Sequence, residues 1–452
     1  MLNWRKPLIY SAFSISGYPV FTKYRFLKSV EYKSQNELLD LQNKKLETIL
    51  KHACEYVPYY KKLLADSDSV KNGKVNLDNF TNIPPLTKNI IKTQKNNLYS
   101  RDHTKRSSFW NTTGGSTGEP TAFLQDKNFK AWGFAHRLLC NHWAGKEPGQ
   151  PELKLWGSER DVFGEAEKIS TTLRRRGFNV LVLSSFLMTE EIMMRYVKTW
   201  NHFKPRMVEA YTSSIFEFAK FLNRTQQKVA TPSAVICSAE TLTEDVRKVI
   251  EQTLGSVAIN KYGSRDAGLI ACECPKKEGL HEMLLHNKIE ILDENHQPCQ
   301  PEQCGKVHIT TLNNFSMPLI RYDIGDMAVA ARQRDCSCDR GSPMIEKIIG
   351  RHIETFKTKD GRKIPGEFFI HFVGVVYNKN FIKKFQVIQK DYDYILVRLV
   401  LLDEDIFKQY KPQIIKAIQK LMGDACKIEF EYVDDIKPLQ SGKYLYTISE
   451  VE

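Results

Sequence analysis

Two parts of this chain combine residue types that can do chemistry. The first is Thr112-Thr113-Gly114-Gly115-Ser116-Thr117-Gly118-Glu119-Pro120, whose first seven positions hold three glycines and four hydroxyl residues. Glycine lets a backbone turn through positive φ and lets its N–H groups approach phosphate oxygens, while hydroxyls add donors without bulk. Each hydrogen bond to a charged oxygen contributes about 1.5–3 kcal/mol net. No lysine follows the last glycine, so this is not the G-x-x-x-x-G-K-[ST] phosphate loop, nor is it a dinucleotide fingerprint. The same residues would also suit an ordinary flexible hairpin turn.

The second is a set of metal-binding residue types. Cys272 and Cys274 form a C-x-C, and so do Cys336 and Cys338. Ten cysteines in a chain of 452 residues with no signal-peptide pattern point away from a disulfide framework and towards metal. Cys274, His281, Cys336 and Cys338 would give a tetrahedral structural Zn²⁺ three thiolates and one imidazole. Cys272 competes with Cys274, because residues two apart on a strand share a face. His286 competes with His281, and a set of unrelated buried cysteines is the alternative.

The elements that must position these residues can be read from periodicity. Leu38, Leu39, Leu41, Leu46, Ile49 and Leu50 recur at helical spacing, which predicts helix over 34–66 with a break at Pro58. Residues 109–125 read as strand, glycine-rich turn, strand. From 127 to 260 helical stretches alternate with short apolar runs such as 180–183 and 234–237, the pattern of a mostly parallel sheet covered by helices. Strands at 288–292, 305–311 and 327–331 make 285–332 β-rich. A small α+β unit follows 351, with strands at 385–389, 394–402 and 427–432 and a helix over 404–422. The boundary falls at Gly350-Arg351.

Seven short pieces then recur in a recognisable order. They are Glu55 to Tyr60 (E-Y-V-P-Y-Y), the hydroxyl–glycine loop, Ser238-Ala239-Glu240, Tyr262-Gly263-Ser264-Arg265-Asp266, Arg321-Tyr322-Asp323-Ile324-Gly325-Asp326, Gly350-Arg351 and Gly442-Lys443. Together they resemble the adenylate-forming superfamily, in particular its phenylacetate–CoA ligase branch with the CapK-type proteins of capsular polysaccharide loci. The resemblance implies an α/β fold. A large N-terminal adenylation domain, 1–350, would have mixed sheets and a β-rich subdomain. A small mobile α+β lid, 351–452, would follow.

It also implies an activity: ATP-dependent adenylation of a carboxylic acid, then acyl transfer to a thiol of coenzyme A or of an acyl carrier protein. Transfer to an amine or hydroxyl of a surface polysaccharide precursor is the rival, and a non-catalytic role in polysaccharide assembly is another. By resemblance, 112–118 holds the β- and γ-phosphates, and Thr112, Gly114, Gly115, Ser116, Thr117 and Gly118 are nucleotide contacts. Ser238, Ala239 and Glu240 line the adenine pocket, Tyr262 stacks on the base beside Gly263 and Ser264, and Asp326 accepts the ribose hydroxyls. Asp266 helps to hold Mg²⁺ on the phosphates. Thr113, Arg351 and Lys443 are the catalytic residues: Arg351 contacts ribose or phosphate, and Lys443 brings charge to the carboxylate and α-phosphate. Glu354 stands where the hinge motif usually has Asp. Tyr211-Thr212-Ser213 falls where relatives have a Gly-Tyr-Pro-Ser-like element near the substrate. Trp132 and His136 would line an acyl pocket or pack a helix face.

Composition sets the remaining bounds. With 42% apolar and 26% charged residues the chain is globular, and its length suits two or three domains. The net charge of +13 comes without zinc-finger, homeodomain or RNA-recognition spacing, so it fits attraction of anionic substrates better than nucleic-acid binding. No apolar run reaches the length of about 18 residues that a membrane span needs. Lys6, Pro7, Gly17 and Pro19 interrupt the first 25 residues, unlike a signal peptide. A cytoplasmic protein with scope for peripheral membrane contact is expected.

Overall fold

The computed structural model describes residues 3–15, 17–112, 121–156, 175–185, 188–332, 335–351, 356–359, 363–364, 369, 373, 381–437 and 445–451. The chain forms two compact units, Met1–Ile349 and Gly350–Glu452.

The predicted helix over 34–66 is two helices, Gln35–Tyr56 and Pro58–Asp66. Ser34 and Glu37 close a capping box at the start of the first. Pro58 opens the second, at the position where its missing N–H costs nothing.

An eleven-stranded sheet organises the larger unit. Val180–Leu183, Glu152–Leu155, Met207–Tyr211, Ala234–Ser238 and Val257–Ser264 run parallel, in that spatial order. Two of these strands, Met207–Tyr211 and Ala234–Ser238, are buried at every position, as parallel strands covered on both faces must be. Helices Glu190–Phe203, Thr212–Thr225 and Glu244–Leu254 cover one face through Val208, Ala210, Val235, Cys237 and Ala258. The opposite face places Met207, Ala234, Ile236 and Ile259 against Ala131, Ala135, Leu138 and Leu139 of helix Lys127–Trp143.

Gly268–Glu273 then pairs antiparallel with Val257–Ser264 and reverses the sheet's direction. The sheet continues through Leu280–Glu282, Met344–Arg351, Tyr322–Ala330, Cys304–Thr311 and Asn287–Leu292, so the β-rich stretch extends it. The glycine-rich segment springs from a separate hairpin, Phe109–Thr112 with Ala122–Gln125.

The smaller unit holds a four-stranded mixed sheet: Lys427–Tyr432, Tyr394–Leu401, Ile382–Asp391 and Thr447–Ser449. Helix Glu404–Met422 packs with it through Phe407, Ile414, Ile418 and Met422. Among the described residues no helix is long and apolar enough to cross a membrane.

Candidate functional site

The hairpin that carries the glycine-rich segment is tied down at its root. Asn111 Nδ2 donates to Gln125 Oε1 at 3.1 Å, which locks the two strands together. Gln125 Nε2 donates to the Arg265 carbonyl at 2.7 Å and to the Asp266 carbonyl at 3.2 Å. Arg265 Nη1 returns a bond to the Thr112 carbonyl at 3.4 Å. Thr112 is therefore held against the Tyr262–Asp266 motif, although some 150 residues separate them. Thr113, Gly114, Gly115, Ser116, Thr117 and Gly118 lie outside the described residues.

Tyr262 and Asp326 meet directly: the Tyr262 hydroxyl donates to Asp326 Oδ2 at 2.6 Å, with the two residues 9% and 7% exposed. Asp266 is buried, and its Oδ1 accepts from the Ala267 N–H at 3.1 Å. Ser264 Oγ accepts from the same N–H at 3.1 Å, so both side chains brace the turn after Tyr262. In the Arg321–Asp326 stretch the arginine has a structural task. It is 1% exposed, donates to both Glu290 oxygens at 3.2 Å, and also donates to the Thr81 and Ile83 carbonyls.

Gly263 shows why that motif needs a glycine. A Cβ there would stand 2.7 Å from the Gly268 carbonyl oxygen and 3.3 Å from Leu269 Cα, both backbone atoms that cannot swing away. Gly263→Ala is expected to cost about 1–3 kcal/mol, as overpacking does. The melting temperature should then fall by several degrees. A melting curve identical to the parent's would contradict this close approach.

Ser238-Ala239-Glu240 leaves the end of a buried strand through a strained residue. Ala239 has φ of +70°, a conformation that costs a non-glycine residue about 1–3 kcal/mol and persists only where its neighbours enforce it. Ser238 Oγ donates to the Lys261 carbonyl at 3.1 Å on one side. On the other, Glu240 accepts from the Ser213 N–H at 2.6 Å and from Ser213 Oγ at 2.9 Å. That carboxylate caps the start of helix Thr212–Thr225, where N–H groups and the helix dipole favour negative charge. Glu240 is thus joined to Tyr211-Thr212-Ser213. Trp132 and His136 pack into the core: the rings of His136 and His286 stack 5.4 Å apart, and His136 Nδ1 lies 2.9 Å from the Trp132 carbonyl. Cys237, fully buried with its thiol pushed up to about 12 by burial, is no nucleophile.

Cys274, His281, Cys336 and Cys338 converge, with one donor atom from each lying within 4.8 Å of the others. Cys274 Sγ is 3.6 Å from Cys336 Sγ, and Cys338 Sγ is 3.3 Å from His281 Nε2. A tetrahedral zinc with Zn–S bonds of about 2.3 Å would set its sulfurs about 3.8 Å apart, so the donors fit the ion. Ser342 Oγ lies 3.0 Å from His281 Nδ1, the contact that turns Nε2 towards the thiols. Burial pushes the His281 imidazole down to about 4, into the neutral form a metal requires. Glu278 pins the Cys336-Ser337-Cys338 turn by accepting from the Ser337 N–H at 2.9 Å and from its hydroxyl at 2.6 Å. The two competitors lie elsewhere. Cys272 partners Cys140, and His286 stacks on Phe129 with ring centroids 4.7 Å apart.

Arg351 ends the strand Met344–Arg351, and Lys443 lies outside the described residues. Arg265 stands in the Tyr262–Asp266 motif without an assigned role, and Asn111 and Gln125, which tie the hairpin to it, carry no signal in the sequence. Their partners are remote, and asparagine and glutamine are common surface residues.

Residues 356–450 match the CapK C-terminal domain. Over its full length and the full length of the relative, the chain is 23% identical to Protein CapK of Staphylococcus aureus. It is 25% identical to the phenylacetate-coenzyme A ligase of Thermus thermophilus, covering 71% of this chain and 72% of that one. Among solved structures, 2-hydroxyisobutyryl-CoA ligase in the postadenylation state, in complex with R3-HIB-AMP, aligns with a TM-score of 0.72 at 16% identity. The alignment covers 93% of this chain and 91% of that one. Amide bond synthetase McbA from Marinactinospora thermotolerans aligns at 0.50 and 13% identity over 73% of this chain and 65% of its own.

Proposed function

We propose that this homologue of Protein CapK, which has the fold of the adenylate-forming ligases, activates a small carboxylic acid with ATP. It then passes the acyl group to the thiol of coenzyme A or of a carrier protein. A carboxylate has no good leaving group. Transfer of AMP onto it makes a mixed anhydride, releases pyrophosphate and leaves an electrophilic carbonyl. The protein must hold the triphosphate, offset its charge and align the attacking carboxylate.

One observation carries the reading. Gln125 of the hairpin donates to the Arg265 and Asp266 carbonyls and the Arg265 side chain donates to the Thr112 carbonyl, just past the strand that carries Tyr262, itself bonded to Asp326. This supports a reading in which Thr112, at the start of the phosphate segment, lies near Asp266, Tyr262 and Asp326. In this assignment 112–118 holds the β- and γ-phosphates, Asp266 is the oxygen ligand for Mg²⁺, and Asp326 accepts from the ribose. Tyr262 faces the base, while Ser238, Ala239 and Glu240 form the adenine wall. Arg351 and Lys443 belong to the chemistry of the smaller unit. Cys274, His281, Cys336 and Cys338 would hold a structural Zn²⁺ whose part is to stabilise the fold at the far end of strand Gly268–Glu273.

ATP–pyrophosphate exchange across a library of carboxylic acids tests the proposal. Exchange with some acid is expected, together with a rise in melting temperature on adding ATP. Neither response from any acid would point to a non-catalytic relative. With an active acid, coenzyme A should accelerate AMP release severalfold if its thiol is the acceptor. No acceleration would move the acceptor to a carrier protein, an amine or a hydroxyl.

A further inference from the structure

An ion network is buried on one face of the parallel sheet. Register pairs Lys154 with Glu209, Tyr211 with Ser238, and Ser238 with Lys261. Paired residues in parallel strands point the same way and side chains alternate along each strand. Glu152, Lys154, Glu209, Tyr211, Ser238 and Lys261 therefore share the face that packs against helix Lys127–Trp143, the helix that follows the glycine-rich hairpin.

Glu209 is 3% exposed and accepts from Lys154, from Lys261 and from Arg137 Nη2, the last at 3.4 Å. Glu152, 2% exposed, lies 2.7 Å from Lys146 Nζ, 3.0 Å from Arg137 Nη2 and 3.5 Å from Lys154 Nζ. Among the described residues four cations surround two carboxylates. Burial first, and then the neighbouring cations, push both Lys154 and Lys261 down to about 7. A further anion would relieve that repulsion, whereas an apolar group set here would have no partner to offer.

The position favours a ligand. Glu152 opens its strand, but the Lys154–Lys261 side of the network, with Tyr211 and Ser238, lies towards the carboxyl ends of the parallel strands, where open α/β sheets bind their ligands. Lys261 immediately precedes Tyr262, and its carbonyl accepts from Ser238 Oγ at 3.1 Å. Trp156 stacks on Tyr211 with ring centroids 4.2 Å apart, and Lys154 Nζ lies 5.8 Å from the Trp156 ring. The network is reachable: the Arg137 side chain is 33% exposed and that of Lys154 18%.

We propose that this network forms the floor of the acid site and selects an acid with a second anionic group, a carboxylate or a phosphate, held by Lys154, Lys261 and Arg137. The assignment rests on the adenylation reading above and narrows its substrate class.

Exchange kinetics on matched acids test it: succinate against butyrate, glutarate against valerate, 3-phosphoglycerate against glycerate, with phenylacetate as the apolar reference. An acid with the second anionic group should show a KM about tenfold or more below its match with the reacting carboxylate alone, since a site built for a polar group rejects the analogue that lacks it. The carboxylate and phosphate pairs separate the two sources of that charge. Lys154→Met, and Arg137→Met as the more exposed and fold-tolerant variant, should erase this preference while KM for ATP stays put. A purely structural network would lower the melting temperature of the variants and leave the preference intact. That outcome, or exchange confined to acids without a second anionic group, overturns this inference alone. No exchange with any acid overturns the adenylation reading and this inference with it.

Discussion

ATP–pyrophosphate exchange is expected to fall by about a hundredfold or more in Lys443→Ala, the scale of losing one preorganised charge at a transition state. Negative charge builds on the α-phosphate as the carboxylate attacks, and two anions must approach each other. A single ammonium on a long stem can bridge them without the fixed fork geometry of a guanidinium. Binding of ATP alone should be nearly unchanged, because in the proposed role the lysine acts on the reacting carboxylate and α-phosphate. The check is therefore a split: kcat for exchange drops, while the ATP-induced rise in melting temperature persists. Unchanged exchange would remove Lys443 from the mechanism. Loss of the ATP response as well would make it a nucleotide-binding residue.

Protein purified without chelator should carry about one zinc per chain, and Cys336→Ser should lose it and melt about ten degrees lower. The magnitude follows from size and site. Structural zinc is worth about 10–16 kcal/mol in peptides that fold only with metal. Here much of the frame exists already, so a few kcal/mol is at stake, at about 2–4 °C each for a domain of 150–250 residues. The donors are close enough to bind and too far apart to be a disulfide, with Cys274 and Cys336 sulfurs 3.6 Å apart. Burial raises both of those thiols, so a metal must displace their protons. Metal analysis and a melting curve on the same sample decide the matter: parent protein with almost no zinc ends the assignment. Cys272→Ser is the control. Its thiol partners Cys140, so zinc content should not change.

Much of the framework was legible because it follows local rules. Uninterrupted apolar runs mark the strands Val180–Leu183, at the sheet's edge, and Ala234–Ser238, buried throughout, and Asp403 and Gly423 bracket the helix Glu404–Met422. Loop and motif residues were legible as types, since glycines, hydroxyls and carboxylates advertise their chemistry. What brings them together was not. The bonds from Gln125 to Arg265 and Asp266, and from Glu240 to Ser213, join segments that no periodicity connects. The choice between Cys272 and Cys274 turned on where one strand stops. The strand ends at Glu273, so the alternation that would align the two sulfurs no longer applies. The Glu209 network did leave a trace, because an acid in the middle of a wholly buried strand must be paired. Its partners, one strand away on either side or on a helix, became visible only with the register.

The six-residue strand Gly268–Glu273 is bonded on one side to the strand of Tyr262 and on the other to that of His281. Its amides thus form a shared gauge. Proton-for-deuteron exchange there samples openings far slower than thermal vibration. Stripping the metal should quicken the wash-in of label along the edge facing His281, and nucleotide should slow it along the edge facing Tyr262. A single short peptide in a mass spectrum would register both events.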